Sequence, residues 1–303
     1  TIVISVARCY HFIKRLKGAL THMKIKITSD STCDLNNDLI LKYGVGIFPL
    51  TVVLGEKSYK DGDIAPSDIF GYVKQSNLLP KTAAGTAEEY AAFFDGNLKG
   101  NDALIHFNIS SQASSSYSAA SIAAKQFGGK VHVIDSLALS TGQGLLVLKA
   151  CDMVKEGLSA QEICGKVNAL RSKVNTSFVP DALDYLHKGG RCSLAALIGA
   201  KVLKLHPMIC ENEQGQLIAK KKYAGGMARC IKAYAADLKA EYPAYDKTRC
   251  FITHSSADNE LVELAKGLVK EHFEFDEILE TVAGSIVTSH CGRNTLGILF
   301  IAE

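Results

Sequence analysis

Lys24-Ile25-Lys26-Ile27-Thr28-Ser29-Asp30-Ser31-Thr32 is a short β-rich run that stops in hydroxyl and carboxyl side chains. Ile25–Thr28 reads as a first strand, and Asp34 is placed to cap the helix that follows. The same order of short strand, polar strand end and helix returns twice. Ala103–Phe107 is followed by a serine-rich turn and a helix to about Phe127, and Val131–Ile134 by Asp135-Ser136 and a long helix from about Ser140 to Lys155. Strands alternating with helices predict an α/β fold, with a Rossmann-like, mainly parallel sheet and flanking helices.

Between these units, Val45–Leu54 is β-like but broken by Pro49, which fits an irregular or edge strand. Pro66 starts a helix through Val73, and Thr86-Ala87-Glu88-Glu89 is a capping box before a helix to about Leu98. Gly157 stops the long helix and Ser159-Ala160-Gln161-Glu162 is a second capping box. This places a boundary between an N-terminal α/β domain, 23–157, and a C-terminal α/β domain, 158–303. In the latter, Thr176–Val179 reads as a strand and Asp181–His187 as a helix. Leu205–Glu211 and Gln216–Tyr223 flank Asn212-Glu213-Gln214-Gly215 as a β-hairpin. Met227–Glu241 is helical, Cys250–His254 a strand, and Asp258 caps a helix to Glu271. Phe275–Val282, Ser285–His290 and the apolar Leu296–Ile301 complete the β-rich segments.

The composition bounds the function. Of 303 residues, 47% are hydrophobic and 21% charged, as in a globular protein rather than a disordered one. No apolar run approaches the roughly 20 residues a membrane span needs. The formal charge is +3, but residues 1–22 hold Arg8, Lys14, Arg15 and Lys17 and no acid. Without them the chain has 30 Lys+Arg against 31 Asp+Glu, so no nucleic-acid partner is expected. Residues 1–22 read as a non-native or disordered extension ahead of a folded part that begins near Met23. A basic membrane-surface helix is the other reading, which would allow at most transient membrane contact. Nine dispersed cysteines without a CxxC argue against a disulfide framework or structural zinc, and for a reducing cytoplasm. No metal or cofactor is expected.

Standard catalytic signatures are absent: there is no Walker A loop, GxGxxG, HExxH or GxSxG. The most unusual local feature is Ser110-Ser111-Gln112-Ala113-Ser114-Ser115-Ser116-Tyr117-Ser118, where a strand gives way to a helix. Hydroxyls and free N–H groups at a helix start suit a carboxylate or phosphate, although a solvated, capped helix start would look the same. Pro80-Lys81-Thr82-Ala83-Ala84-Gly85-Thr86 is a second small-residue turn, and Asp30-Ser31-Thr32 and Asp135-Ser136 occupy equivalent strand ends. Lys188-Gly189-Gly190-Arg191 puts a cation on a glycine turn. His290 lies among Gly292, Asn294 and Gly297, which point to a tight loop near a ligand.

Taken together, these segments resemble the DegV family of fatty-acid-binding proteins. The resemblance is carried by Thr28-Ser29-Asp30-Ser31-Thr32-Cys33-Asp34-Leu35, Tyr59-Lys60-Asp61-Gly62, Lys81-Thr82, Ile109-Ser110-Ser111 through Tyr117-Ser118-Ala119-Ala120, Val133-Ile134-Asp135-Ser136, Leu186-His187-Lys188-Gly189-Gly190-Arg191 and Ser289-His290-Cys291-Gly292. It implies a two-domain protein that buries one long-chain fatty acid. Thr82 and Ser114 would hold the carboxyl, with Ser110, Ser111 and Ser115 in the same turn and Arg191 and His290 near the head-group opening. It also implies a non-enzymatic, cytoplasmic carrier in phospholipid metabolism, which presents the acid to the catalytic subunit of a fatty acid kinase for acyl-phosphate formation.

The chain departs from the family pattern in three places. Thr82-Ala83-Ala84-Gly85 replaces Thr-Ser-x-Pro, Ser114-Ser115-Ser116 replaces Ser-Gly-Thr, and Gly292-Arg293-Asn294 stands where Gly-Pro-Gly is common. These put chain-length preference and kinase docking in doubt, because surrounding shape sets both. The competing reading is an enzyme, either a small-molecule kinase or an acyltransferase with Ser114 or Cys291 as nucleophile and a neighbouring base. A plain interaction module is the third.

Overall fold

The computed structural model describes residues 23–191 and 205–303; residues 1–22 of the expected extension lie outside them. The N-terminal part runs β1 (Ile25–Asp30), a 3-10 turn (Ser31–Cys33), α1 (Asn37–Tyr43), β2 (Gly46–Phe48), β3 (Thr51–Leu54), β4 (Lys57–Lys60), α2 (Pro66–Ser76), β5 (Lys81–Ala83), α3 (Ala87–Leu98), β6 (Ala103–Asn108), α4 (Ser116–Ala124), β7 (Val131–Asp135) and α5 (Ser140–Lys155). It continues with α6 (Ala160–Leu170), β8 (Val174–Asn175), β9 (Ser177–Val179), α7 (Asp184–Lys188), β10 (Leu205–Glu211), β11 (Leu217–Ala224), α8 (Met227–Glu241), β12 (Arg249–Ser255), α9 (Asn259–His272), β13 (Glu277–Val282), α10 (Ser285–Cys291) and β14 (Thr295–Ile301).

The expected α/β fold is present. β2-β1-β6-β7 form a parallel sheet. Successive residues of its strands feed opposite cores, as the pleat requires. Ile105 and Phe107 pack with Leu145 and Leu146 of α5, while Leu104 packs with Tyr90 and Phe94 of α3. The chain leaves β1 for β2 on one side and β6 lies on the other. The carboxyl ends of β1 and β6 therefore bound a crevice, the usual ligand position in open α/β sheets.

A larger sheet has the order β11-β10-β9-β14-β12-β13, with β8 also on β14. β10 and β11 form the expected antiparallel hairpin, and only β12–β13 is parallel. β4-β3-β5 is a small antiparallel sheet. Helix α5 joins the two large sheets: Leu146 and Leu148 share one core with Ile27 of β1, Phe251 of β12 and Leu299 of β14. Pro49 separates β2 from β3, which belong to different sheets.

Three local expectations are corrected. Ser285–Cys291 is a helix, not a strand. Its β-branched Ile286, Val287 and Thr288 favour a strand, but a short apolar run does not fix its own period. The tertiary setting decides, because Gly284 N–H donates to Asp34 Oδ1 (2.8 Å) and the Ser285 N–H and hydroxyl donate to Asp61 Oδ1 (2.8 and 2.6 Å). These carboxyls satisfy donors that a helix start leaves open. Asp34 consequently does not cap α1. Asn36 does so, its side chain accepting from Leu39 N–H. Asp34 instead has left-handed φ and accepts the Ser140 hydroxyl at 2.6 Å. Finally, α7 begins at Asp184 rather than Asp181.

Candidate functional site

The site is built on the ends of β1 and β6. The buried Asp30 carboxylate accepts from the Thr32 hydroxyl (2.5 Å), Gln143 Nε2 (3.0 Å), Asn108 Nδ2 (3.1 Å) and Ile109 N–H (3.0 Å). Burial raises its pKa, and these hydrogen bonds work against that rise. One side chain thus ties both strand ends to α5, and Thr32 and Ile109 emerge from this tie as walls of a cavity of about 290 Å3.

At one end of the cavity stand polar groups from distant parts of the chain. Thr82 is in β5, paired with Val52 of β3, so the expected turn is a strand of the small sheet. Its Oγ1 lies 2.8 Å from His290 Nε2, which α10 supplies. His290 Nδ1 is buried without a partner. Gly189 approaches this ring so closely that a Cβ there would sit 2.7 Å from Nδ1. Burial, and then the nearby Arg191 charge, lower the His290 pKa to about 4. A neutral ring with its proton on Nε2 donates to Thr82 Oγ1 and avoids an orphaned donor at Nδ1. The threonine hydroxyl hydrogen is then free to serve a ligand.

Arg191 closes the same end. Its Nη1 donates to Gly189 O (2.7 Å) and its Nε to Ala113 O (3.4 Å), joining the double-glycine turn to the serine turn. Ser114 lies next to the start of α4. Its Oγ accepts from Ser116 N–H (3.2 Å) and contacts Ser116 Oγ (2.9 Å). Apart from Thr32 and Ser115 the rest of the wall is apolar, including Leu50, Leu139, Leu186, Leu217 and Ile286.

Thr82, Ser114, Ser115, Arg191 and His290 therefore line one cavity. Ser110 and Ser111 lie outside this lining. The buried Ser110 hydroxyl donates to Gly215 O (2.7 Å), locking the hairpin turn onto the serine turn, and Gly215 has the positive φ (+81°) that glycine favours. Ser111 is exposed, and its N–H donates to Asp135 Oδ1. Asp135 also accepts from Leu137 N–H, so this strand end secures a turn. The apolar walls come from seven places in the chain. Nothing in the sequence distinguishes them from core residues.

As for the enzyme readings, burial pushes the Cys291 thiol up to about 12, far from a reactive thiolate. His290 Nε2 is taken up by Thr82 and the basic Nδ1 is buried against Gly189, turned to no nucleophile, while Ser114 contacts Ser116. Among the described residues no three His, Cys, Asp or Glu side chains gather as a metal-binding group, and no helix is long and apolar enough to cross a membrane.

A family model described as "Uncharacterised protein, DegV family" matches residues 24–303. The chain belongs to the DegV family. A DegV domain-containing protein of Caldanaerobacter subterraneus subsp. tengcongensis is 31% identical over 91% of this chain and 98% of its own length. A protein of Thermotoga maritima named "Fatty acid-binding protein" is 28% identical over 91% of this chain and 96% of its own. Among solved structures, a DegV family protein from Thermus thermophilus described by its fatty acid binding superposes with a TM-score of 0.86. It is 28% identical and covers 93% of this chain and all of its own. The DegV family thus includes proteins described as binding fatty acids.

Proposed function

We propose that this DegV protein holds one long-chain fatty acid in the 290 Å3 cavity, with its carboxylate on the Thr82 and Ser114 hydroxyls and Arg191 at the opening. The carrying observation is the Thr82–His290 pair at the polar end of an otherwise apolar cavity. A ligand that fits has one anionic end and a long hydrocarbon body. Neutral hydroxyls hold a carboxylate without neutralising it as an arginine clamp would, which leaves an oxygen open to phosphoryl transfer. The protein accordingly acts as a cytoplasmic carrier in phospholipid metabolism, and a separate fatty acid kinase subunit makes the acyl phosphate. The division at Gly157 belongs to the same reading: the parallel sheet draws its strands from before that residue and the larger sheet from after it.

The test uses protein stripped of lipid. A long-chain acid should bind, and the primary alcohol of equal length should bind on the order of ten-fold more weakly or worse, because it lacks charge-assisted hydrogen bonds. Equal binding of acid and alcohol contradicts the assignment of the polar end.

A further inference from the structure

A second, smaller cavity of about 20 Å3 adjoins the first, and Leu139, Val287 and Cys291 line both. The three belong to one apolar cluster with Phe178 of β9 and Ala283, which line the smaller cavity alone. That cluster is separate from the cores beneath the sheets. The smaller space also touches several polar residues, yet their donor hydrogens are already committed. The Ser140 hydroxyl donates to Asp34 (2.6 Å), and Thr253 Oγ1 contacts Thr141 (2.5 Å) and Thr281 (2.9 Å). Ser255 donates to Thr288 (3.0 Å) and Thr295 to Cys291 O (2.8 Å). His254 uses Nδ1 for Ala257 N–H and Nε2 for Glu280. The space therefore offers hydrocarbon, and by size it takes about one or two methyl-sized groups.

We infer that the methyl end of the bound chain passes the neck formed by Leu139, Val287 and Cys291 and ends in the smaller cavity, so that Phe178 and Ala283 set the chain length this protein accepts. The inference rests on the fatty-acid reading. It also disfavours a polar tail: the lining hydroxyls have spent their hydrogens, so the oxygen of an ω-hydroxy group there would find no donor.

The test is the identity of the acids extracted from purified wild type, Phe178→Leu and Ala283→Val, with native mass measured in parallel. Enlarging the end with Phe178→Leu should shift the bound acids longer by about one or two carbons, and filling it with Ala283→Val should shift them shorter. Stripped wild type should bind an ω-hydroxy acid on the order of ten-fold more weakly than the plain acid of equal length. Should Ala283→Val not fold, Phe178→Leu and the ω-hydroxy comparison decide. One acid per chain with an unchanged length distribution in the folded variants, or equal affinity for the ω-hydroxy acid, overturns the inference while leaving the fatty-acid reading intact. A wild type that carries no acid and takes up none overturns both.

Discussion

Among the described residues stand two hydroxyl–imidazole pairs, and they do different work. Thr28 Oγ1 lies 2.9 Å from His106 Nδ1 inside the parallel sheet, and Thr82 Oγ1 lies 2.8 Å from His290 Nε2 at the cavity. Around His106 both ring nitrogens are spent. Its Nε2 faces Asn108 Nδ2, the Thr28 hydroxyl reaches Ile105 O, and Tyr90, Phe93 and Phe94 pack their rings against it. Around His290 there is capacity left, with Nδ1 unpartnered and the Thr82 hydroxyl on a cavity wall. The residue types and distances are nearly the same, so chemistry at the site follows from what remains unsatisfied, not from which residues are present.

The largest effect should come from emptying the second pair's neighbourhood. Thr82→Val with Ser114→Ala should abolish lipid retention, read as bound acid per chain after purification without detergent. Unchanged lipid content in the double variant would break the comparison. Thr28→Val should do the reverse. Leaving His106 Nδ1 buried and unpartnered costs about 1–3 kcal/mol, seen as a lower urea midpoint with lipid content unchanged.

Acid sharpens the contrast more gently. Burial lowers His106 to about 3 and His290 to about 4, both below the ordinary 6.5. Between these values the unfolded chain takes up protons that the folded chain refuses. The contribution of these two histidines is therefore full above about pH 6.5 and declines as the pH falls toward 4 and then 3. In lipid-free protein, His290→Asn should make this decline shallower, measured as urea midpoints at neutral and acid pH, and a slope equal to wild type would contradict the His290 assignment. An opposite slope belongs to Asp34, which anchors the start of the helix carrying His290. Burial pushes its carboxyl up to about 8 from the ordinary 3.8. Here the folded chain keeps a proton that the unfolded chain loses, so this contribution to stability falls as the pH rises from about 4 to 8. Asp34→Asn should flatten that part of the urea-midpoint profile.

The parts of the fold that were legible are those whose local chemistry agrees with their setting. β1, β6 and β7 alternate with helices, and the capping boxes at Thr86 and Ser159 close as their spacing requires. Ser285–Cys291 was not legible, because its helix depends on Asp34 and Asp61, more than 200 residues away. The same distance hid part of the site. A run of hydroxyls does not reveal that Ser110 is consumed by Gly215 while Ser114 faces the cavity. Nor does any sequence signal bring Thr82 to His290. The family resemblance supplied that grouping, and the structure supplies its distance.

Native mass spectrometry of the full chain, purified without detergent and followed by extraction of what it carries, tests the central claim most directly. One long-chain fatty acid per chain is the predicted result. A protein that arrives empty and takes up no added fatty acid would contradict it.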